Sequence, residues 1–442
     1  MKVDVAILGA GAAGLAAALE VSRQGRSVCL LEARERLGGR ILTREDVALP
    51  VPVELGAEFI HGRSATIAHW LQLTRTSAVD APQTRQLLYR GRLQDADALF
   101  EAMKRGLERS RRPAHDLPFA DHLAGAARKH LTPRARTFAR SLVEGYDAAD
   151  AARISTHEVL DEWSGAGAAD APTFRPHAGY GALIDALQRL LDRDRVQIRL
   201  NTRVQEVHWR PGAVRVLCER LGRPFEVEAD QAVVALPLGV LQLPEELPDA
   251  VRFVPPLHSK RAAFAGLAVG AVIKVVLQFS SAFWEEIDDS KYRDVAFFTA
   301  PDQPFPTFWT TLPARSAALT AWSAGPNALR LSGRSESSLS QHALDSLAAI
   351  FPPRRRWERT LERAYVHDWH ADRFARGAYS YVTAGASDAR HVLARPLERT
   401  LFFAGEATDL QGEAATVFGA LSSGERAARQ LTAKERAPKR GG

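Results

Sequence analysis

The chain has 442 residues, 46% hydrophobic and 25% charged, with a formal net charge of +6. That length holds two sizeable domains, two distant cysteines offer no disulfide framework and so fit a reducing cytoplasm, and no apolar run reaches membrane-spanning length. The positive excess is scattered arginine, with Arg111-Arg112 and Arg354-Arg355-Arg356 free of interleaved aromatics; this reads as solvated surface and argues against nucleic acid.

The first predicted elements are a strand over residues 3–8 and a helix opened by Gly9-Ala10-Gly11-Ala12-Ala13-Gly14. Gly9 allows the tight turn, Gly11 lets backbone approach a pyrophosphate, and Gly14 packs helix against strand. The amides and dipole at the helix start then face phosphates. A second strand, 27–31, ends at Glu32, placed to accept from a ribose 2′-hydroxyl and to repel a 2′-phosphate. Glycine spacing alone is a weak signal, and an Ala-rich buried helix competes with it. Strand, helix and acid in the right order point to a dinucleotide site. Next, Glu32-Ala33-Arg34-Glu35-Arg36-Leu37-Gly38-Gly39-Arg40 argues for FAD, with a second glycine loop near the pyrophosphate and an arginine to neutralise it. Gly165-Ala166-Gly167-Ala168-Ala169-Asp170 fails at its last position and reads as a small-residue loop. Electrons must therefore come from a substrate, not a nicotinamide. Residues 5–19 imitate a signal-peptide core, but Asp4 and the fingerprint argue against targeting.

The opening βαβ unit continues through residues 54–62, and residues 67–190 read as helical with proline breaks and little strand character. Strands follow at 196–200, 204–209, 214–218 and 232–236, with a Pro211-Gly212 turn. An alternating strand, 271–279, starts a second mixed region with Phe283-Trp284 and Phe297-Phe298. A strand at 400–404 and a helix at 415–431 precede a frayed basic tail, 434–442. Cys29 and Cys218 read as packing residues, and no metal-ligating cluster is expected. Lys274 lies on a strand whose other face carries Ile273, Val275, Leu277 and Phe279. The pattern leaves open an edge lysine that snorkels and a lysine that serves a site.

Residues 32–40, 55–62, 369–381 and 402–424, with Ala235-Leu236-Pro237-Leu238-Gly239-Val240-Leu241 and Val272-Ile273-Lys274-Val275, resemble the flavin-dependent amine oxidase family. That family includes monoamine oxidases, polyamine oxidases and lysine-specific histone demethylases. The resemblance implies an α/β, Rossmann-like FAD-binding domain assembled from residues 1–73, 185–252 and 390–433. Interleaved with it is an α+β substrate-binding domain, helical over 74–184 and sheet-rich over 253–389.

By the same resemblance, Gly9, Gly11, Ala13, Gly14, Glu32, Ala33, Arg34, Gly39 and Arg40 hold the nucleotide, and Val204 meets adenine through its backbone. Gly56, Ala57 and Glu58 run beside the isoalloxazine, and Trp369 also contacts the cofactor. Gly405 and Glu406 lie near the pyrophosphate and ribityl chain. The backbone at Ala415, Thr416 and Val417 caps the pyrimidine edge at a helix start. Lys274 holds a water against the reactive flavin nitrogen. Tyr379 forms one wall of an aromatic slot, while Thr416 replaces the second tyrosine of monoamine oxidases. Ala378 stands where those enzymes attach FAD through cysteine, so FAD is expected to be non-covalent. His61 is read either as a substrate contact or as a hydrogen-bonded loop histidine. Glu58, Glu144 and Asp147 could line an amine site, whereas Glu285, Glu286, Asp288 and Asp289 read as solvated loop.

The implied reaction takes hydride from the carbon beside a neutral amine, releases an imine that water hydrolyses, and passes electrons to oxygen as hydrogen peroxide. An extended, polyamine-like amine is favoured. The alternatives are a monoamine or L-amino-acid oxidase using Arg63 or Arg175, a flavin desaturase, and a non-catalytic FAD-binding module. No helical-hairpin insertion that would recruit a chromatin partner is read, so a histone role is not expected.

Overall fold

The computed structural model describes residues 1–163 and 171–432; the small-residue stretch 165–170 and the basic tail 434–442 lie outside them. By packing, the chain divides into one unit from Met1–Gly39, Ala186–Arg261 and Arg390–Gly442, and another from Arg40–Asp185 and Ala262–Ala389. These limits follow packing, whereas the expected boundaries followed the ligand. Residues 40–73 group with the second unit because their short strands pair inside it: Thr43–Arg44 with Val53–Glu54, and Ile60–His61 with Thr173–Pro176.

The first unit is α/β. Lys2–Leu8 and Val28–Leu31 are short apolar runs without alternation, so they suit a parallel sheet covered on both faces. The strand order is Val196–Arg199, Val28–Leu31, Lys2–Leu8, Arg223–Val234, Ala213–Arg220, Thr202–Arg210, Arg252–Val254. Leu401–Phe403 pairs with the far half of Arg223–Val234, so the chain's two ends share one sheet. Leu8 stands level with Leu31 and with Val234, which brings the carboxyl ends of three parallel strands together. That edge is where open α/β sheets bind ligands. Helix Ala12–Arg23, nearly all buried, packs against the closing helix Val417–Thr432. A Cβ at Gly424 would fall 2.1 Å from the Ala13 carbonyl oxygen, so the two backbones touch.

The second unit carries a seven-stranded sheet ordered Leu361–Asp368, Val272–Phe279, Ala318–Ala324, Thr307–Thr310, Phe297–Thr299, Arg85–Tyr89, Arg92–Asp95. Helix Glu336–Ile350 covers one face, packing Leu339, Leu344 and Leu347 onto Ile273, Val275, Leu277 and Phe279. Helices Asp97–Arg109, Pro133–Gly145 and Thr156–Trp163 build a separate core with Phe100, Phe138 and Trp163. Thr132 caps the second of these by accepting from Ala135 N at 3.1 Å, ahead of a proline in the first turn.

The helical reading of residues 67–190 needs correction. Four strands lie there: Ala78–Asp80, Arg85–Tyr89, Arg92–Asp95 and Thr173–Pro176. Arg85–Tyr89 and Arg92–Asp95 form a hairpin turned at Arg90-Gly91, both with positive φ, the combination that a two-residue turn requires. Among the described residues, no helix is long and apolar enough to cross a membrane. Cys29 and Cys218 are both buried and unpaired.

The helix contact yields a test. Gly424→Ala adds a methyl where the Ala13 backbone already stands, an overpacking that costs about 1–3 kcal/mol. The unfolding midpoint of the FAD-loaded protein, followed by calorimetry, should drop by several degrees. An unchanged midpoint contradicts the backbone contact.

Candidate active site

In the first unit, Glu32 organises the nucleotide end. Its two carboxylate oxygens accept from Ala10 N and Arg34 N, each at 2.9 Å. Burial pushes its carboxyl up, and the two amides and nearby arginines oppose that rise. Asn201 N donates to Arg34 O and Thr202 N to Glu32 O, both at 2.8 Å, which lays the segment leading to Val204 along Ala33. Gly38 N donates to Ala10 O at 2.9 Å, and a Cβ at Gly39, φ +59°, would meet Gly11 Cα at 3.3 Å. The two glycine loops are therefore back to back, and a Cβ at Gly14 would sit 1.9 Å from Gly9 O.

The late segment completes this unit. Gly405, φ +124°, has open space around its missing Cβ and donates its N–H to Ser423 Oγ at 2.8 Å, with Glu406 buried beside it. Thr416 Oγ1 accepts from Gly419 N at 3.0 Å, capping the closing helix, and Ala415 before it holds φ at +64°. A non-glycine residue in that region is strained, and such strain collects at ligand sites. A carboxylate at the end of the second strand, paired glycine loops and an open helix start are the parts an FAD pyrophosphate and ribose need.

In the second unit, strand Val272–Phe279 is buried on both faces, and Lys274 is 1% exposed. Its cross-strand neighbours are Trp322 and His367. Lys274 Nζ donates to Glu58 Oε2 at 2.5 Å and to Gly56 O at 3.2 Å, and lies 5.3 Å over the Trp309 ring. An ammonium has three donors. Lys274 is thus a buried, ion-paired lysine rather than an edge lysine that snorkels.

Glu58 departs from the expected acidic lining. Trp309 Nε1 donates to its two oxygens at 3.0 and 3.1 Å, and Arg175 approaches at 3.3 Å. Burial alone would raise this carboxyl, but Lys274 and Arg175 hold it below the ordinary carboxylate value. Glu144 pairs with Arg140 at 2.8 Å. Asp147 differs from both: it accepts from Trp163 Nε1 at 3.2 Å, and burial followed by the charge of Glu162 pushes its carboxyl well up.

Tyr379 and His61 meet through a residue that the sequence reading missed. The Tyr379 hydroxyl donates to Tyr146 O at 2.5 Å, and the Tyr146 hydroxyl lies 3.3 Å from His61 Nδ1. The Tyr146 ring stands edge-on to His61 at 5.4 Å and to Trp163 at 5.2 Å. Burial pushes His61 down to about 4, so its imidazole is neutral at pH 7. Tyr146 follows helix Pro133–Gly145 directly and is 233 residues from Tyr379, so no local pattern links the two. An aromatic-acid pair, Tyr146-Asp147, just past a helix end was the available signal.

Arg40 donates to Ala378 O, and its own carbonyl would stand 2.1 Å from a Cβ at Gly56, beside Ala57. Trp369 Nε1 donates to Leu55 O at 2.8 Å. Arg63 lies 3.6 Å from Asp80 with both side chains exposed, whereas the buried Arg175 also donates to Thr310 O at 3.0 Å and is engaged. Among the described residues, no group of three His, Cys, Asp or Glu could hold a metal.

The sequence profile of the flavin containing amine oxidoreductases matches residues 12–432. The chain is 30% identical to lysine-specific histone demethylase 1 homolog 3 of Arabidopsis thaliana, over 96% of this chain but only 29% of that protein. It is 29% identical to polyamine oxidase 3 of Oryza sativa subsp. japonica, over 96% of this chain and 88% of that one. A wild-type putrescine oxidase solved with putrescine bound has the same fold, at TM-score 0.77 and 21% identity, over 98% of this chain and 99% of that one. With this profile spanning nearly its whole described length, the chain belongs to the flavin-containing amine oxidoreductase family.

Proposed function

We propose that the protein is an FAD-dependent amine oxidase that prefers extended, polyamine-like substrates, uses oxygen as acceptor and releases hydrogen peroxide. The observation that carries the reading is the cluster of Tyr379, Tyr146, Trp163 and neutral His61 beside Asp147, in the unit that also holds the buried Lys274. Aromatic faces attract a cationic or amine nitrogen. Asp147, ionised, would hold a distal ammonium, and His61 would offer a neutral polar contact. Bound FAD would supply the hydride acceptor for the carbon beside nitrogen. Lys274 would hold a water through a remaining N–H and place positive charge where negative charge develops during oxygen reduction. Arg175 is committed to Glu58 and to Thr310 O, which disfavours it as the carboxylate arginine an L-amino-acid oxidase needs. Scarce cysteine supports a cytoplasmic setting.

An alkylammonium of pKa about 10.4 must lose its proton before hydride leaves. Asp147, raised by burial, must lose one to become an anion. Both effects make activity climb with pH. Specificity constants for spermidine, acetylspermine, benzylamine and tyramine decide substrate class: a polyamine should rank first, and a benzylamine or tyramine maximum sinks the polyamine reading. Tyr146→Ala should lower the polyamine specificity constant about tenfold, the loss of a cation–π wall worth roughly 1–2 kcal/mol. An unchanged constant removes Tyr146 from the site.

FAD should be held without a covalent bond, since Ala378 has no nucleophile and both cysteines are buried in the other unit's strands. Acid precipitation should leave the yellow colour in the supernatant; colour retained in the washed pellet contradicts this.

A further inference from the structure

Glu58 stands between two cations and an indole, brought from four separate stretches of chain. Lys274 comes from Val272–Phe279, Arg175 from Thr173–Pro176 and Trp309 from Thr307–Thr310, while Glu58 follows strand Val53–Glu54. The side chains of Glu58 and Arg175 are 11% and 12% exposed. Trp309 bridges the two carboxylate oxygens and also lies under the Lys274 ammonium.

We infer that Glu58 is a positioning residue for Lys274: it fixes the ammonium in one place and keeps it charged, while Arg175 and Trp309 fix the carboxylate. The inference rests on the amine-oxidase reading of Lys274 for its catalytic meaning, but the pairing has consequences without it. A lysine stem is flexible, and a buried ammonium without a counter-ion surrenders its proton. The other groups facing this region are Glu54, His367 and Trp322. Burial pushes Glu54 up to about 7, and it is already engaged by the Thr43 hydroxyl at 2.8 Å and Tyr180 N at 2.6 Å. His367 is turned to Asp372 at 3.0 Å. Below neutrality, Glu58 is therefore the anion on which Lys274 depends.

Below neutrality, where Glu54 is protonated, Glu58→Gln leaves Lys274 and Arg175 without a counter-charge. In the folded variant, the lysine pKa should fall below its unfolded value of about 10.4. A base with a depressed folded pKa makes the unfolded state bind more protons, so stability rises with pH. The FAD-loaded wild type, E58Q, E58D, K274M and the E58Q/K274M pair are compared in two measurements. The first is the unfolding midpoint between about pH 6 and 10, without amine. The second is the pH profile of anaerobic flavin reduction by spermidine.

The E58Q midpoint should fall steeply toward acid, and adding K274M should abolish that slope. E58D should keep the wild-type profile. In flavin reduction, E58Q should lose about tenfold or more and gain an ionisation absent from wild type, while E58Q/K274M should match K274M within about twofold, as residues acting as a unit do. If no amine reduces the flavin, the functional reading fails, and the midpoint series still decides the pairing. An E58Q midpoint that tracks wild type at every pH, or E58Q and K274M effects that multiply, overturns the inference. So does an E58Q slope that survives K274M.

Discussion

A charged lysine in a strand buried on both faces needs an anion, and the second unit supplies one from more than two hundred residues away. Val272–Phe279 is apolar on each side of Lys274, with Ile273, Val275 and Leu277 in the core under helix Glu336–Ile350. Removing one partner of a buried ion pair typically costs about 3–5 kcal/mol, because the other charge is left alone. Glu58, 216 residues away in sequence, thus locks the segment 54–62 against the sheet as well as holding the ammonium. Such a pair is weak evidence for stability in itself, since well-packed apolar residues do as well. Here the lysine of the pair lies inside the sheet, on the strand next to its edge strand Leu361–Asp368.

The first unit depends on a different constraint, which is steric. Gly9, Gly14, Gly39 and Gly424 stand where a Cβ would meet backbone atoms at 2.8, 1.9, 3.3 and 2.1 Å. The second glycine loop and the closing helix each approach the turn and helix that follow the first strand to backbone contact. The late segment is thereby drawn to the opening fingerprint, and Leu401–Phe403 enters the same sheet as Lys2–Leu8 through Arg223–Val234. One sheet built from both ends of the chain follows from that topology.

Local signals carried most of the first unit's reading. Strand, glycine turn, helix and acid lie within about one βαβ unit, and each is dictated by nearby sequence. The strands near residues 204 and 214 and the closing helix lie within a few residues of where alternation and turn chemistry placed them, whereas the strand expected at 232–236 is the end of a longer one, Arg223–Val234. The hairpin from Arg85 to Asp95 was missed because Arg-Gln-Leu-Leu-Tyr lacks β-branched residues, and its register depends on pairing with Phe297–Thr299. Of the candidate site, single residues could be named from sequence but their pairings could not. Lys274 stood out by type and Tyr379 through the family resemblance, yet their partners, Glu58 and Tyr146, are far away in sequence. A lysine flanked by valines and isoleucines could have prompted a search for its carboxylate. Thr416, read as the absent second tyrosine, also has a local duty as a helix cap.

The central proposal is that this chain oxidises amines with a bound flavin. Anaerobic addition of one equivalent of spermidine to the FAD-loaded protein, followed at the flavin absorption band, tests it most directly. The account requires full bleaching, with recovery of the band and release of peroxide when oxygen is admitted. A band unchanged by spermidine and by the other amines contradicts it.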